Sequence, residues 1–234
     1  MRIALFSDIH GHITGLRAVL TRLQNLGGVD TIYCLGDYIG GGPGLDDVIE
    51  VLVENNVRLI RGNWDEVFIG TEAHLTTISP EHRQSYQRTA EWMWNGLSKE
   101  SQKLLAALPI CETIHLSGHH KLLLCHATPT DTHAKVCQAD TPLATLRAAY
   151  SSYDVQLIAY GHYHSQHVLQ MDEKILINAA SIGLGWRGLS ALTVLQANDS
   201  SVAIQQYHVP YDVYEHERLI RERNMPDDPA IWYW

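Results

Sequence analysis

The sequence has little of what stabilises small secreted or membrane domains. Its four cysteines, Cys34, Cys111, Cys125 and Cys137, contain no CxxC pair. No apolar run approaches the roughly 20 residues that a membrane-spanning helix requires. The first residues lead directly into a strand-like segment, without the apolar region of a signal peptide. We therefore expect a reduced, cytoplasmic protein without a disulfide framework and without a membrane partner.

Cationic residues are also scarce. The 17 lysines and arginines are outnumbered by 26 aspartates and glutamates, which gives a formal net charge of -9. Bulk nucleic acid and anionic lipid reward clustered Lys and Arg, so we expect neither as a partner. Anionic substrates bound through metal ions remain compatible with this charge. The 14 histidines among 234 residues direct attention to metal-ligating positions.

Apolar periodicity predicts an α/β architecture. Strand-like runs at residues 2–7, 31–35 and 57–60 alternate with helical patterns, as in βαβ units with a parallel sheet. Residues 71–108 predict two helices inserted as a cover within one domain, 1–234. The second half predicts a hairpin over 111–125 and more strand. Its further strands are expected at 155–160, 168–171, 175–178, 189–195 and 202–209, and its helices at 142–151 and 212–224.

Side chains with metal-ligand chemistry follow the predicted strands directly. Residues just past the carboxyl ends of neighbouring strands converge on one crevice in an open α/β sheet. Two carboxylates, one amide and four imidazoles suit Mn²⁺, Fe²⁺, Zn²⁺ or Ni²⁺ better than Mg²⁺ or Ca²⁺. Seven ligands exceed one tetrahedral site, so we predict two divalent transition-metal ions. The expected ligands are Asp8, His10, Asp37, Asn63, His126, His162 and His164, with Asp37 as the bridge because it follows the central of the first three strands.

The order of these motifs resembles that of the calcineurin-like metallophosphoesterases. The pattern D-x-H, G-D, G-N-x-D, H and G-H-x-H spans Asp8 to about Gly183 and is most similar to the compact bacterial and archaeal phosphodiesterases. The resemblance implies a four-layer α/β/β/α sandwich. It also implies a first metal bound by Asp8, His10, Asp37 and His164, and a second bound by Asp37, Asn63, His126 and His162.

The resemblance implies a binuclear, metal-dependent phosphoric ester hydrolase. A hydroxide that bridges the two ions would attack phosphorus in line with the leaving oxygen, while the ions neutralise charge on the phosphoryl group. We expect a small phosphodiester or a nucleotide phosphoanhydride as substrate. Asp37 and Asn63 are the catalytic candidates among the ligands.

Three positions depart from the family pattern. Trp64 stands where many relatives have a general-acid histidine, and an indole cannot deliver a proton near pH 7. We therefore expect cleavage of diesters or phosphoanhydrides over alkyl monoesters, with His12 as the substitute proton donor. Residues 36–43 lack the arginine found in protein phosphatases and symmetrical dinucleoside tetraphosphatases. In residues 178–183, Ala179 and Ala180 replace the proline and first glycine of the family segment.

Several alternatives stay open at this stage. Arg61 is a candidate for binding substrate phosphate, or forms an ion pair at its strand end. Trp64 stacks on substrate or covers the core. Residues 40–44 form a turn or cradle a phosphate, although they lack the Lys of a P-loop. The terminal Trp232 and Trp234 dock onto the fold or onto a neighbouring copy in a homo-oligomer.

Two rival functions are weighed, and the first belongs to another class. One is a catalytically silent interaction scaffold, as in the retromer subunit that resembles this fold but has an altered metal site. Retention of every ligand argues against it. The other is a nuclease of the double-strand-break type, which the acidic charge and the short chain disfavour.

Overall fold

The structure is a computed structural model that describes residues 1–68, 80–136 and 138–225. Within these ranges the strands are β1 (Arg2–Phe6), β2 (Thr31–Cys34), β3 (Arg58–Leu59), β4 (Cys111–His115), β5 (Lys121–Cys125), β6 (Leu157–Tyr160), β7 (His167–Met171), β8 (Lys174–Asn178), β9 (Leu189–Ala197) and β10 (Val202–Pro210). The helices are α1 (Ile13–Asn25), α2 (Asp46–Glu54), α3 (Asn63–Phe68), α4 (Pro80–Asn95), α5 (Lys99–Ala106), α6 (Leu143–Tyr150) and α7 (Val213–Glu222).

The described strands form two five-stranded sheets. The first has the order β10-β9-β1-β2-β3, in which β1, β2 and β3 are parallel to one another and β9 runs antiparallel to both of its neighbours, β1 and β10. The second has the order β4-β5-β6-β8-β7, with β5, β6 and β8 parallel. The predicted βαβ units and the β4–β5 hairpin are therefore confirmed. β2 lies between β1 and β3, as the choice of Asp37 for the bridge assumed.

The alternation of side chains along the strands creates four layers. In β1, Ile3 and Leu5 pack between the two sheets, whereas Ala4 and Phe6 face the helices. The helix-side core of the first sheet holds apolar residues of α1, α2, α4 and α5, with α7 packed against it. On the outer face of the second sheet, Leu146 of α6 packs with the strand residues. The expected α/β/β/α sandwich is confirmed.

The two helices predicted for residues 71–108 are present as α4 and α5, although residues 69–79 lie outside the described part. Ser98 caps α5 by accepting a hydrogen bond from the Ser101 amide at 3.1 Å, and its own hydroxyl donates to Asp46 Oδ1 of α2 at 3.0 Å. Trp92 and Trp94 are half-buried against the helix-side core. These two rings therefore serve as cover. The docking of Trp232 and Trp234 falls outside the described residues, and no described helix is long and apolar enough to cross a bilayer.

Candidate metal centre

All seven predicted ligands lie where the ends of the two sheets meet. β1 and β2 lead to the loops that carry Asp8, His10 and Asp37, and Asn63 begins α3 just after β3. The second sheet contributes His126 after β5, and His162 and His164 after β6. Two groups of side chains converge here, and Asp8 belongs to both: Asp8 with His10 and His164, and Asp8 with Asp37 and His126.

The first group is compact. Asp8 Oδ1 lies 3.2 Å from His164 Nε2 and 3.7 Å from His10 Nε2. The two imidazole nitrogens are themselves 3.3 Å apart. One carboxylate oxygen and two imidazole nitrogens thus point at one another, as the donors of a single cation do.

The second group surrounds the Asn63 amide oxygen. Asn63 Oδ1 lies 2.8 Å from His126 Nε2 and 2.9 Å from His162 Nδ1. Asp37 Oδ2 lies 3.3 Å from His126 Nε2 and 3.8 Å from His10 Nε2. Because Asp37 approaches an imidazole of each group, it stands between them. Its other oxygen, Oδ1, accepts a hydrogen bond from the Trp64 amide at 2.8 Å.

Four of the seven residues have a left-handed backbone. The φ angles are 52° at Asp8, 49° at His10, 57° at Asp37 and 65° at His162. L-residues visit this region rarely, at a cost of roughly 1 to 2 kcal/mol each. Such strain clusters at functional sites, where the surrounding structure holds it. The left-handed turns bend the chain sharply after β1, β2 and β6, where the side chains face the seam between the sheets.

Two motif glycines are required by close approach. A Cβ on Gly62 would overlap Asp37 Oδ1, and a Cβ on Gly161 would overlap Ser7 Oγ and Asp8 Oδ2. The backbone of Gly161 passes this close because the next amide, His162 N, donates to Asp8 Oδ2 at 3.0 Å. The glycines of the G-N and G-H motifs therefore let the chain after β3 and after β6 pack against the two carboxylates.

Asp65 supports the site, although the sequence analysis gave it no role. Its carboxylate is fully buried and accepts three backbone hydrogen bonds, from Asp37 N at 2.9 Å, Tyr38 N at 3.1 Å and Gly62 N at 2.7 Å. These bonds tie the loop after β2 to the start of α3. Burial, together with the charge of Asp37, raises the pKa of Asp65 to about 7. The last residue of the G-N-x-D pattern was the sequence clue to this position.

The segment after β8 keeps its backbone contacts despite Ala179 and Ala180. Asn178 Oδ1 accepts from the Ala180 amide at 2.7 Å, and Asn178 Nδ2 donates to the Gly161 carbonyl at 3.2 Å. Ser181 Oγ donates to the Asp8 carbonyl at 2.7 Å. Ala180 itself has a φ of 59°, which explains why a glycine is used at this position in the family pattern.

The donor set fits divalent cations. Asp8 Oδ1 is buried and makes no hydrogen bond to a described residue, although it faces two imidazoles. Burial would raise the pKa of Asp8, yet His10, His126 and His164 outweigh it and hold this pKa well below its ordinary value. His126 Nδ1 donates to the Leu35 carbonyl at 2.7 Å, which orients Nε2 toward Asp37 and Asn63. A fixed tautomer of this kind is typical of metal-ligating histidines.

His12 has a different environment from the one a proton donor needs. Its Nδ1 accepts the Gly15 amide at 3.0 Å and caps α1, and its ring stacks on His216 with the centroids 3.6 Å apart. Burial and the nearby His216 lower the pKa of His12 to about 3. The ring is therefore neutral near pH 7, and the expected role as a substitute acid is disfavoured.

Arg61 and Trp64 also contact the protein itself. Arg61 Nη2 donates to the carbonyl of Ala106, the last residue of α5, at 2.9 Å, a favourable position for a cation at a helix C-terminus. In the described part of the chain Arg61 has this contact and no ion pair, and its binding of substrate phosphate stays a prediction. The Trp64 ring stands edge-on to His10, with the centroids 6.2 Å apart, and packs close to Gly40. Gly40 and Gly41 have φ values of 113° and 100°, as the turn interpretation of this stretch requires.

Comparison with known proteins agrees with the fold and the site. Residues 1–200 match the calcineurin-like phosphoesterase superfamily domain, and the chain belongs to this family. The class defined by family, fold and donor set is a metal-dependent phosphoric ester hydrolase.

Particular relatives cover the chain to different extents. An uncharacterized protein of Methanocaldococcus jannaschii is 27% identical, over 94% of this chain and 93% of its own length. A symmetrical bis(5'-nucleosyl)-tetraphosphatase of Salmonella paratyphi A is 27% identical over 60% of this chain, and the match spans about half, 49%, of that enzyme.

Solved structures share the fold along the whole chain. A hypothetical protein from Pyrococcus horikoshii has a TM-score of 0.82 with 18% identity and covers 99% of this chain and 96% of its own. A metallophosphoesterase from Sphaerobacter thermophilus has a TM-score of 0.72 with 21% identity and covers 97% and 95%. At these identities the likeness concerns the fold alone.

Proposed function

We propose that this protein uses two divalent transition-metal ions to hydrolyse a small phosphodiester or a nucleotide phosphoanhydride. The observation that carries the proposal is the convergence of seven donors in two adjacent groups, with Asp37 between them and an Asp8 oxygen that hydrogen-bonds to no described residue. Asp8, His10, Asp37 and His164 would hold one ion. Asp37, Asn63, His126 and His162 would hold the other.

Some residues of the site would bind the ions, and others would lie on the side from which substrate approaches. When bound, two such ions supply a hydroxide nucleophile at neutral pH and neutralise negative charge on the phosphoryl group. Asp8 and Asp37 are almost completely buried and provide the fixed negative charge, while Asn63, His162 and His164 are partly exposed. Substrate would therefore approach from the side of these three residues. With its oxygen committed to the second group, the Asn63 amide keeps its NH₂ as a donor to a phosphoryl oxygen.

The expected leaving group follows from Trp64, which occupies the position of the general-acid histidine in many relatives. Trp64 cannot protonate a leaving oxygen, and His12 is buried and neutral. An alkoxide needs a proton as it leaves, whereas an aryl oxide or a nucleotide phosphate leaves as a stable anion. We therefore propose diesters with good leaving groups, or phosphoanhydrides, over alkyl monoesters.

Similarity to the symmetrical tetraphosphatase is compatible with a phosphoanhydride substrate but does not specify one. That match covers 60% of this chain. The arginine expected in such enzymes is absent from residues 36–43, where Gly40 and Gly41 form a tight turn. A direct comparison of substrates is therefore needed to distinguish a phosphodiester from a phosphoanhydride.

The test compares leaving groups on the Mn²⁺-loaded protein. Turnover of bis(4-nitrophenyl) phosphate should exceed that of an alkyl monoester such as glycerol phosphate by about 10²-fold or more, the usual contribution of a general acid. The variant Trp64→His should raise alkyl monoester turnover selectively, because it places an imidazole beside His10. Faster alkyl monoester cleavage by the wild-type protein would contradict the leaving-group argument.

Metal content separates the enzyme from a silent scaffold. Elemental mass spectrometry on protein reconstituted with Mn²⁺ should find close to two ions per chain, as the two donor groups require. A chain that retains no metal and cleaves none of the diesters, dinucleoside polyphosphates, nucleotides or monoesters would be a scaffold.

A further inference from the structure

A small cavity of about 150 Å³ adjoins the candidate metal centre. Its walls include His164, a proposed ligand, and Ser181, which holds the Asp8 carbonyl. Trp186 and His208 also line the cavity, and their ring centroids are 6.4 Å apart at an interplanar angle of 44°. A proposed metal ligand and a pair of aromatic rings thus line the same cavity.

Trp186 is unusual among the apolar side chains. It is 75% exposed, whereas the apolar residues of the three cores are buried or half-buried. An exposed indole offers a flat apolar face of a kind that marks interaction sites. The rings of Trp64, Trp92 and Trp94, in contrast, are partly buried against the helix-side core.

The loop that carries Trp186 is held at both ends. Ser181 Oγ accepts hydrogen bonds from the Gly183 and Leu184 amides at 3.1 and 2.7 Å. The Trp186 carbonyl accepts the Leu189 amide at 2.9 Å, which closes a turn at the start of β9. The neighbouring Arg187 pairs with Glu217 of α7 at 2.6 Å. The backbone on both sides of the indole is therefore held by hydrogen bonds, and Ser181, which makes two of them, also supports Asp8.

We propose that Trp186, with His208, forms a stacking site for a planar aromatic group of the substrate. This inference rests on the proposed function. The volume is well below the roughly 300 to 1,000 Å³ of sites that enclose a drug-sized ligand, so it suits one ring system beside a phosphate at the metals. Stacking on an aromatic side chain is tolerant of sequence and is open to any nucleobase. The planar group that we assign to this site is a nucleobase on the part of the substrate that keeps the phosphate after cleavage. An aryl leaving group would stack by the same chemistry, and the experiment distinguishes the two.

Two substrates with the same leaving group distinguish the sources of the ring. Thymidine 5'-(4-nitrophenyl phosphate) carries a nucleobase on the retained side, and methyl 4-nitrophenyl phosphate carries none. Trp186→Ala should raise KM for the thymidine ester about ten-fold, with little change in kcat, and Trp186→Phe should restore most of the affinity. KM for the methyl ester should stay within about two-fold. Tyr214→Ala, which removes an 85% exposed aromatic of α7 that does not line the cavity, is the matched control.

Each outcome has a definite meaning. An equal rise in KM for both esters would place the nitrophenyl leaving group on Trp186 and overturn the nucleobase assignment. Unchanged KM for both, with turnover intact, would overturn the stacking site and leave the proposed function standing. Absence of turnover in the wild-type protein would defeat the proposed function. Quenching of tryptophan fluorescence by thymidine 5'-monophosphate, compared between the wild type and Trp186→Phe, would then test stacking without catalysis.

Discussion

The two sheets contribute different chemistry to the same centre. The end of the first sheet supplies both carboxylates, Asp8 and Asp37, which are almost completely buried and are held by backbone amides, together with His10 and Asn63. The end of the second supplies imidazoles alone, of which His126 is buried while His162 and His164 are partly exposed. All the negative charge of the centre is thus fixed deep in the seam, and two of the second sheet's imidazoles lie at the opening. The carboxylates set how much positive charge the site demands, and the imidazoles favour transition metals over Mg²⁺.

The two kinds of donor also differ in how many groups they serve. Asp8 belongs to both groups, and Asp37 approaches one imidazole of each. His164 contacts the first group alone, and His126 belongs to the second. Loss of a first-sheet carboxylate should therefore affect both ions, whereas loss of one second-sheet imidazole should affect one. Substituting a first-sheet carboxylate and a second-sheet imidazole separately tests this difference.

The largest effect is expected for Asp37→Ala. Removing the carboxylate between the groups takes one ligand from each ion, so phosphodiester turnover should fall by more than about 10³-fold. Elemental analysis should show that both ions are lost. Asp140→Ala, which removes an exposed carboxylate outside the centre, should leave turnover unchanged. Undiminished activity in Asp37→Ala would assign the site elsewhere.

A smaller, graded loss is expected on the second sheet. His164→Ala and His126→Ala each remove one donor from one group, so metal content should fall from about two ions to about one per chain while the other ion stays. Because the substitutions act on different groups, adding both together should remove both ions. If either single variant lost both ions, the separation into two groups would be wrong.

Much of this centre could be predicted from the sequence because its ligands follow buried strands directly. The strand runs ending near Asp8, Asp37 and Asn63 are spaced like βαβ units, and parallel strands bring their carboxyl ends to one edge. The four-layer packing came from the resemblance. Periodicity alone could not state which strands of the second sheet neighbour one another, because β8 inserts between β6 and β7 through long-range pairing.

Residues that act through others were harder to predict. Asp65 supports the site through backbone amides, which no spacing rule exposes. His12 lies two residues past a ligand, but capping of α1 and stacking on His216 direct its ring away from proton transfer. Trp186 sits on an irregular loop, where apolar periodicity gives no information about exposure. In each case tertiary contacts decide the role.

Asp65→Asn tests this support with an intermediate effect. The amide oxygen can still accept a hydrogen bond, but the NH₂ group must face one of the three backbone donors. Loss of such a support typically weakens metal binding by about 10- to 100-fold, and we expect that range for Mn²⁺ by isothermal titration. The neighbouring Glu66→Gln changes a carboxylate that faces His133 instead and should bind Mn²⁺ normally. Wild-type affinity in Asp65→Asn would show that the loop after β2 is held by its other contacts.

The smallest effect is expected at Ala180, in the segment behind Asp8. Its φ of 59° costs an alanine roughly 1 to 2 kcal/mol that a glycine does not lose. Ala179, also buried, lacks a positive φ and is the matched control, because losing a buried methyl and gaining chain entropy in the unfolded state affect both positions similarly. In urea unfolding at fixed metal concentration, Ala180→Gly should therefore have a free energy of unfolding about 1 to 2 kcal/mol above that of Ala179→Gly. Equal free energies of unfolding for the two variants would mean that the left-handed backbone at Ala180 costs no measurable stability. The alanine would then be tolerated because the turn is unstrained.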